Sequence, residues 1–380
     1  MRLALVAGEA SGDLLASLML QGLKDRWPAL HSGGIGGPRM VAQGFDAWAP
    51  AERLSVFGYV DALRRLPELL WLRRRTRLRI LRERPDVFVG VDAPDFNFGL
   101  ETRLRQEGLR TVHFVCPSIW AWRPERVHRL RAAADHVLCL FPFEPELLQS
   151  QGVAATYVGH PLADAISLDV NHPAARQALG FRPETHASEP LVALLPGSRR
   201  SEIRHIGPLL VASAEHLLRL RPGVRFILPV APGLADLLQP MVQPLLNSGH
   251  LTLLDGRSHE ALAAADVALV ASGTATLEAA LLKCPQVIVY RLSAADWQRM
   301  RRMRLQPWVG LPNVLSRAFI VPERIQDEAQ PEVIAADALR WLEDAQAVRT
   351  YRAQCLELHQ QLRQNTGARA AQALQELMGA

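Results

Sequence analysis

The sequence predicts an α/β protein built from two doubly wound domains, each with a parallel sheet covered by helices on both faces. Short apolar runs alternate with longer helical stretches, and this alternation occurs twice along the 380 residues. The runs are continuously apolar, which is typical of strands buried on both faces of a parallel sheet. The length also suggests two domains, since domains commonly span about 100–200 residues.

The apolar runs give the predicted strands and the domain limits. In the first half they are residues 3–7, 87–91, 111–115 and 136–140; in the second half they are 191–195, 225–230, 251–254, 267–271 and 286–290. Residues 164–190 hold Asn171, three prolines, Gly180 and few strand formers, which predicts the linker. We therefore expect domains at residues 1–165 and 186–331, and a helical segment at 332–380 that packs back on one of them. Ligands in such folds bind at the carboxyl ends of strands, so an interdomain cleft is expected.

Composition and charge narrow the class of protein. With 49% apolar and 21% charged residues, the chain is expected to be globular. No apolar run approaches the roughly 18–20 residues of a membrane-spanning helix, and the first residues predict a buried strand rather than a signal peptide. The four cysteines lack C-x-x-C spacing, so neither zinc nor disulfides are predicted and the reducing cytosol is expected. The net charge of +5 permits anionic partners without choosing among them.

Two glycine-rich segments lie near the start of the chain. GEASGD at residues 8–13 follows the first strand, and its backbone N–H groups could approach an anion or a sugar hydroxyl. Ser11 and Asp13 could equally be helix caps. The spacing matches neither a dinucleotide-binding fingerprint nor a P-loop. GGIGGP at residues 33–38 could hold a ligand or form a tight turn.

Two carboxylates follow the strand at residues 87–91. Asp92 and Asp95 are candidates for taking a proton from an attacking hydroxyl, and the alternative is that each caps the following turn. We favour catalysis for one of the two. His113 is expected to be a hydrogen-bonded interior histidine. CPSIWAWR at residues 116–123 suits sugar stacking or an acyl-chain wall, although tryptophans also fill cores.

The second half carries a first loop suited to phosphate. Residues 196–202 offer backbone amides, the hydroxyl of Ser198 and the guanidinium of Arg199, which together could cradle a diphosphate.

A second such loop opens a helix. Ser272, Gly273 and Thr274 are small residues at a helix start, where free N–H groups and the helix dipole favour phosphate. Glu278 lies one turn later and could reach ribose hydroxyls. An ordinary capping box is the alternative, and the presence of two phosphate-suited loops in one domain favours a nucleotide site.

Several long segments resemble one known family, lipid A disaccharide synthase. They are VAGEASGD (6–13), GPRM (37–40), DVFVGVDAPDFN (86–97), PSIWAWR (117–123), LPGSR (195–199), ASGT (271–274) and LPN (311–313). The resemblance spans nearly the whole chain, from residue 3 to the C-terminal helix.

The resemblance implies an inverting glycosyltransferase of the GT-B type, family 19, with two Rossmann-like domains facing a cleft. Such enzymes join UDP-2,3-diacylglucosamine to 2,3-diacylglucosamine 1-phosphate, giving a β-1,6-linked disaccharide 1-phosphate and UDP. No metal or redox cofactor is implied. The first domain is expected to hold the acceptor and the second domain UDP.

The resemblance also assigns residues. It implies Asp92 and Glu9 as the catalytic residues: Asp92 falls at the position of the family's proposed general base, and Glu9 and Asn313 fall on positions expected to line the cleft. Ser11 belongs to the same segment as Glu9, VAGEASGD at residues 6–13, and is expected to bind substrate. The residues expected near UDP are Ser198, Arg199, Ser272, Gly273 and Thr274 at the diphosphate and Glu278 at the ribose. Arg200, where the family commonly has a small residue, leaves open which guanidinium meets phosphate.

Acylated substrates imply a peripheral enzyme on the anionic cytoplasmic face of the inner membrane. Residues 67–82 predict a helix, opened by Pro67, with leucines, a tryptophan and clustered arginines suited to an anionic lipid surface. Residues 297–304 have a similar character. A core-packed helix with a solvated basic face is the alternative for both. Homo-oligomerisation is left open.

Four other functions remain as alternatives. A UDP-sugar epimerase would interconvert donor without acceptor, and another transferase would accept a lipid-linked peptidoglycan intermediate. A non-catalytic membrane-bound nucleotide-binding module would keep residues 272–278 but have no use for Asp92. A nucleic-acid reader is disfavoured, since the arginines lie among leucines and tryptophans.

Overall fold

The computed structural model describes residues 1–54, 58–181 and 189–379, and residues 182–188 of the predicted linker lie outside it. Contacts divide the chain into two units. The first contains Met1–Ala165 and Gln361–Ala380, and the second contains Ile166–Gln360. The chain therefore leaves the first unit after Ala165 and returns to it at Gln361.

The first unit holds a seven-stranded parallel sheet in the order β3-β2-β1-β4-β5-β6-β7. The strand order reverses between β1 and β4, which makes their carboxyl ends the topological switch point. The strands are β1 (Arg2–Ala7), β2 (His31–Gly36), β3 (Asp46–Pro50), β4 (Val87–Val91), β5 (Thr111–Phe114), β6 (His136–Cys139) and β7 (Ala155–Tyr157).

Helices connect these strands. They are α1 (Glu9–Arg26), α2 (Pro38–Ala42), α3 (Gly58–Glu83), α4 (Pro94–Gln106), α5 (Arg126–Ala133), α6 (Glu144–Gln149) and α7 (Pro161–Ala165), with a 3-10 turn at Ala51–Leu54. The predicted helix at residues 67–82 is part of α3, but it does not begin at Pro67. That proline lies inside the helix, which starts at Gly58.

The second unit holds a six-stranded parallel sheet in the order β10-β9-β8-β11-β12-β13. Its switch point lies between β8 and β11. The strands are β8 (Leu191–Leu195), β9 (Arg225–Val230), β10 (Leu251–Asp255), β11 (Val267–Ala271), β12 (Gln286–Tyr290) and β13 (Glu323–Ile325). The predicted pair of Rossmann-like parallel sheets is thus confirmed.

The second unit begins with α8 (His172–Ala178), which lies in the predicted linker and packs against α11. Its other helices are α9 (Arg200–Leu220), α10 (Ala235–Asn247), α11 (Ser258–Ala264), α12 (Thr274–Leu281), α13 (Ala294–Met303), α14 (Leu311–Ser316), α15 (Pro331–Glu343) and most of α16 (Ala345–Leu362).

The last helix, α17 (Thr366–Met378), belongs to the first unit. It packs on α1, where Gly22 and Gly367 approach so closely that a Cβ on either would collide with the backbone of the other. Asp164 accepts hydrogen bonds from the N–H groups of Asn365 and Thr366 and so fixes the start of α17. The tail 332–380 is therefore shared between both units and does not pack on one of them as a single segment.

The GGIGGP segment, expected as a ligand loop or tight turn, is mostly strand β2. Gly34 has a φ of 148°, and a Cβ there would collide with the carbonyl oxygen of Leu5 on β1. Glycine is needed because the neighbouring strand approaches closely.

Among the described residues, no helix combines the length and the apolarity that spanning a bilayer requires.

Candidate active site

Asp92 lies at the switch point of the first sheet, directly after β4. Its φ is 49° and that of Ala93 is 44°, so two successive non-glycine residues adopt the left-handed conformation. Each such residue costs roughly 1–2 kcal/mol, and strain of this kind concentrates at functional sites. The Asp92 N–H donates to the carbonyl of Phe114 at 2.9 Å, which ties the turn to the end of β5.

The turn is held by Asn97, which is completely buried. Its Nδ2 donates to the carbonyl oxygen of Asp92 at 2.8 Å, and it lies 3.2 Å from that of Val6 and 3.4 Å from that of Val91. The one amide group thus joins the carboxyl ends of β1 and β4 to the Asp92 turn.

The GEASGD segment forms the start of α1 beside this turn. Glu9 is the first residue of α1, and its side chain lies outside the described part of the structure. Ser11 is half-buried in the same first turn. A Cβ on Gly8 would lie 3.1 Å from the Cβ of Ala93, so the two loops are in close contact.

Asp13 has a structural role different from a cap on its own helix. Its buried carboxylate accepts hydrogen bonds from the N–H groups of Gly37, Arg39 and Met40 at 2.9–3.1 Å. It therefore fixes the start of α2.

The other first-unit candidates separate into interior and surface groups. His113 is fully buried with Nδ1 2.7 Å from Oε1 of Glu101, as expected for an interior histidine. Trp120 packs edge-on against Phe143, and its Nε1 donates to Glu144 at 3.1 Å.

Asp95, in contrast, is exposed at the start of α4. Its carboxylate pairs with Arg126 at 3.0 Å and Arg129 at 3.6 Å. Trp122 is 36% exposed, and the guanidinium groups of Arg123 and Arg126 lie over its ring.

In the second unit, the loop after β8 differs from the predicted amide cradle. The N–H groups of Ser198 and Arg199 donate to Oε2 of Glu202 at 3.0 and 3.2 Å. Gly197, with φ 110°, allows this because a Cβ there would collide with the Glu202 side chain. The backbone amides of Ser198 and Arg199 are thus occupied by a carboxylate, and Nη1 of Arg199 also pairs with Oε1 of Glu202 at 3.4 Å.

Charges converge where β8 and β12 end. Burial raises the pKa of Tyr290, which ends β12; the nearby Glu202 raises it further and Arg199 opposes this. Arg200 instead forms a 3.4 Å ion pair with Asp236. Of the two arginines, Arg199 therefore pairs with Glu202 and acts on Tyr290, whereas Arg200 pairs with Asp236.

The loop after β11 keeps its predicted features. The Ser272 hydroxyl donates to the carbonyl of Val309 at 3.3 Å. Gly273 is exposed, and a Cβ there would meet open space. Thr274 begins α12, and within residues 189–379 no side chain caps that helix start. Its first N–H groups are the donors that a phosphate needs.

Glu278 lies one turn further along α12, and its side chain is 15% exposed. Its Oε2 is 3.2 Å from Nε2 of His259 on α11. The carboxylate is therefore recessed and oriented by a neighbouring ring.

Asn313, expected to line the cleft, is completely buried. Its Nδ2 donates to Glu323 and to the carbonyl of Val321, and its Oδ1 accepts from the N–H groups of Ile320 and Val321. The amide is used by the loop after α14, which gives this side chain a structural role.

Sequence reasoning did not find Asn97, Glu202 or His259. Asn97 belongs to the DVFVGVDAPDFN segment at residues 86–97, but its hydrogen bond to Asp92 depends on the fold. Glu202 carried a readable signal, because a glutamate three residues after a helix-capping position reaches back to backbone amides. No pattern connects His259 with Glu278, since they lie on different helices.

Solved structures of low sequence identity share the fold. A UDP-GlcNAc 2-epimerase from Neisseria meningitidis bound to UDP-GlcNAc aligns with a TM-score of 0.67 at 12% identity, covering 99% of this chain and 100% of that one. The calicheamicin glycosyltransferase CalG4 aligns with a TM-score of 0.60 at 13% identity, covering 100% and 98%. These likenesses confirm the GT-B fold class, and at this sequence identity they show the fold alone.

Sequence relatives are far closer. A lipid-A-disaccharide synthase from Paraburkholderia phymatum is 53% identical over 376 residues, covering 98% of this chain and 95% of the relative. One from Albidiferax ferrireducens is 48% identical over 384 residues, covering 100% and 97%. The family model for lipid-A-disaccharide synthetase matches residues 3–377. The chain therefore belongs to the lipid-A-disaccharide synthetase family and is a glycosyltransferase of lipid A synthesis.

Proposed function

We propose that the chain joins UDP-2,3-diacylglucosamine to 2,3-diacylglucosamine 1-phosphate by inverting transfer, with Asp92 as the general base. One observation carries the proposal. The candidate groups cluster at the switch points of the two sheets, where β1 meets β4 and where β8 meets β11. Doubly wound domains bind their ligands at these points.

At the acceptor, Asp92 takes the proton of the 6-hydroxyl as its oxygen forms a bond to the anomeric carbon of the donor. The bond from that carbon to UDP breaks, and the configuration inverts. A base held in a fixed orientation lowers the activation free energy, because no entropy is lost in orienting it when the reaction occurs. The buried Asn97 side chain supplies that rigidity through its hydrogen bond to the Asp92 carbonyl, an arrangement that we call the Asn97 clamp. We assign Glu9 and Ser11, at the neighbouring strand end, to the same acceptor site.

At the donor, the departing diphosphate gains negative charge. Ser272, Gly273 and Thr274 present the uncapped start of α12 to it, and Arg199 and Ser198 supply a guanidinium and a hydroxyl. Preorganised donors of this kind are each worth about 3 kcal/mol in other enzymes. Glu278, oriented by His259, holds the ribose hydroxyls. Asn313 supports this site through its loop.

We further propose that the protein works on the anionic cytoplasmic face of the inner membrane. Leu66, Leu70, Trp71 and Leu78 of α3 are each 46–52% exposed, and exposed arginines lie among them. An exposed mixture of apolar and cationic side chains on one helix suits a lipid interface. The basic helix α13 is a second candidate contact.

The experiment is product analysis by mass spectrometry with both purified substrates. We expect a disaccharide 1-phosphate and UDP from the wild-type protein. We expect Asp92→Asn to lose turnover while still binding UDP, and Asp95→Asn, the matched control, to keep it. Near-wild-type turnover by Asp92→Asn would exclude this residue as the base. Conversion of the donor without acceptor would show an epimerase instead.

A further inference from the structure

Arginines surround the exposed end of α4, close to the Asp92 turn. Arg126 and Arg129 lie one turn apart on α5, and both face the carboxylate of Asp95. Arg126 also lies over the ring of Trp122, with its guanidinium carbon 5.4 Å from the centroid, and Arg129 lies 5.7 Å over Phe98. Each guanidinium group thus lies over one aromatic ring, which holds it in a defined position.

The distance from these arginines to the proposed base is short. Asp95 lies in the first turn of α4, three residues after Asp92. A chain of three residues reaches at most about 11 Å, and a helical turn is shorter. Asp95 in turn touches Arg126 at 3.0 Å. The separation is therefore short enough for one sugar phosphate to place its 6-hydroxyl at Asp92 and its anomeric phosphate at these guanidinium groups.

Asp95 neutralises only one of the several arginine charges around the start of α4. Arg73 of α3 packs against Gly99 of α4. Partial burial lowers the pKa of Arg73, and the charges of Arg129 and Arg103 lower it further. Repulsion among these arginines is relieved when a dianion binds beside them.

We propose that Arg126 and Arg129 bind the anomeric phosphate monoester of the acceptor sugar, and that Asp95 occupies these arginines when the acceptor is absent. This assignment rests on the proposed function. It makes the two arginines the groups that distinguish a phosphorylated acceptor from a phosphate-free one. Phosphate accepts two parallel hydrogen bonds from a guanidinium, which favours arginine here over lysine.

Membrane phospholipid headgroups carry the same phosphate chemistry. Arg129 is 56% exposed and could meet either ligand, whereas the acceptor is favoured at Arg126, whose side chain is only 14% exposed. A recessed guanidinium meets a ligand that enters the site, whereas a flat bilayer surface contacts projecting side chains such as those of α3.

The test compares 2,3-diacylglucosamine 1-phosphate with the same sugar lacking phosphate, in neutral detergent micelles. We expect Arg129→Ala and Arg126→Lys to raise KM for the phosphorylated acceptor about tenfold, as loss of a charge-assisted hydrogen bond does. KM for the donor and turnover of the phosphate-free acceptor should stay unchanged. Asp95→Asn should lower KM for the phosphorylated acceptor, since it removes the competing carboxylate. Arg110→Ala, an exposed arginine at the amino end of β5, is the matched control.

Three outcomes would overturn the assignment: an unchanged KM, an equal loss with both acceptors, or a loss of binding to phosphatidylglycerol vesicles without a KM change in neutral micelles. Failure of the proposed function is separate, because the wild-type protein would then make no disaccharide. In that case, calorimetric binding of the phosphorylated sugar to wild type and Arg129→Ala still decides the assignment.

Discussion

The turn at Asp92 shows how one buried side chain sets the position of another. Asn97 makes its contacts with one nitrogen atom, which faces the carbonyl oxygens of Val6, Val91 and Asp92. The hydrogen bond from Asn97 to the Asp92 carbonyl offsets part of the conformational free energy of the left-handed backbone at Asp92 and Ala93. The sequence places Asn97 near Asp92, but only the packed sheet shows that it also holds β1.

Asn97→Asp tests this clamp. The change puts a carboxylate oxygen against three carbonyl oxygens in a fully buried place, so we expect the free energy of unfolding to fall by about 3 kcal/mol. We also expect kcat to fall while KM for the donor stays constant. Urea unfolding and steady-state kinetics measure the two effects.

Asn171→Asp is the matched control. Asn171 is an exposed helix cap whose oxygen accepts from Ala174, and a carboxylate can accept in the same way. Its stability should stay within about 0.5 kcal/mol of wild type. Equal stability of both variants would contradict the clamp.

Whole elements were predictable where burial alone determines the pattern. All the predicted runs are strands within one residue of the expected bounds, since parallel strands buried on two faces are composed mainly of apolar residues. The missed strands are β2, β3, β7 and β13. β2 carries glycines that the close approach of β1 requires, and β7 and β13 are only three residues long.

The candidate site remains a prediction, and the sequence defines it by loops rather than by side-chain contacts. The turns that follow β1, β4, β8 and β11 were all identified, because strand ends in such folds are where polar residues accumulate. The carboxylate of Glu202 in the loop after β8, and the burial of Asn313, depend on contacts that no spacing encodes.

At the level of α3, exposure gives a prediction for lipid binding. Leu70 and Trp71 are 46% and 52% exposed, so replacing both by Glu should leave the fold intact and reduce co-sedimentation with phosphatidylglycerol vesicles. The variant lacks the apolar side chains that would contact the lipid, and its added carboxylates are repelled by the anionic surface. Leu220→Glu, at an equally exposed leucine of α9, should bind vesicles as wild type does. Equal binding by all three proteins would argue against α3 as the contact.

For the molecule as a whole, two buried groups set a pH dependence of stability. Burial raises the pKa of Glu144 to about 8, and burial lowers the pKa of His160 to about 3. The stability from Glu144 is complete below its unfolded pKa near 4.5 and is lost as the pH rises through 8. That from His160 is complete above about 6.5 and is lost as the pH falls toward 3.

We therefore expect wild-type stability to fall between pH 6.5 and 8, by at most about 1.4 kcal/mol per pH unit from this carboxyl. Glu144→Gln should flatten that slope, although it gives up the hydrogen bond from Trp120. Tryptophan fluorescence during urea unfolding at several pH values measures it. His160→Asn, the control, should alter the slope only on the acid side. An unchanged slope in Glu144→Gln would show that this carboxyl is ionised when folded.

The return of the chain at Gln361 also has a consequence for synthesis on the ribosome. Helix α17, which covers α1 around Gly22, is translated only after the whole second unit. The first unit therefore cannot complete its packing on α1 until the second unit has been synthesised. A nonsense codon anywhere between residues 166 and 360 would thus leave the first unit incomplete as well, although its whole sheet had already been translated.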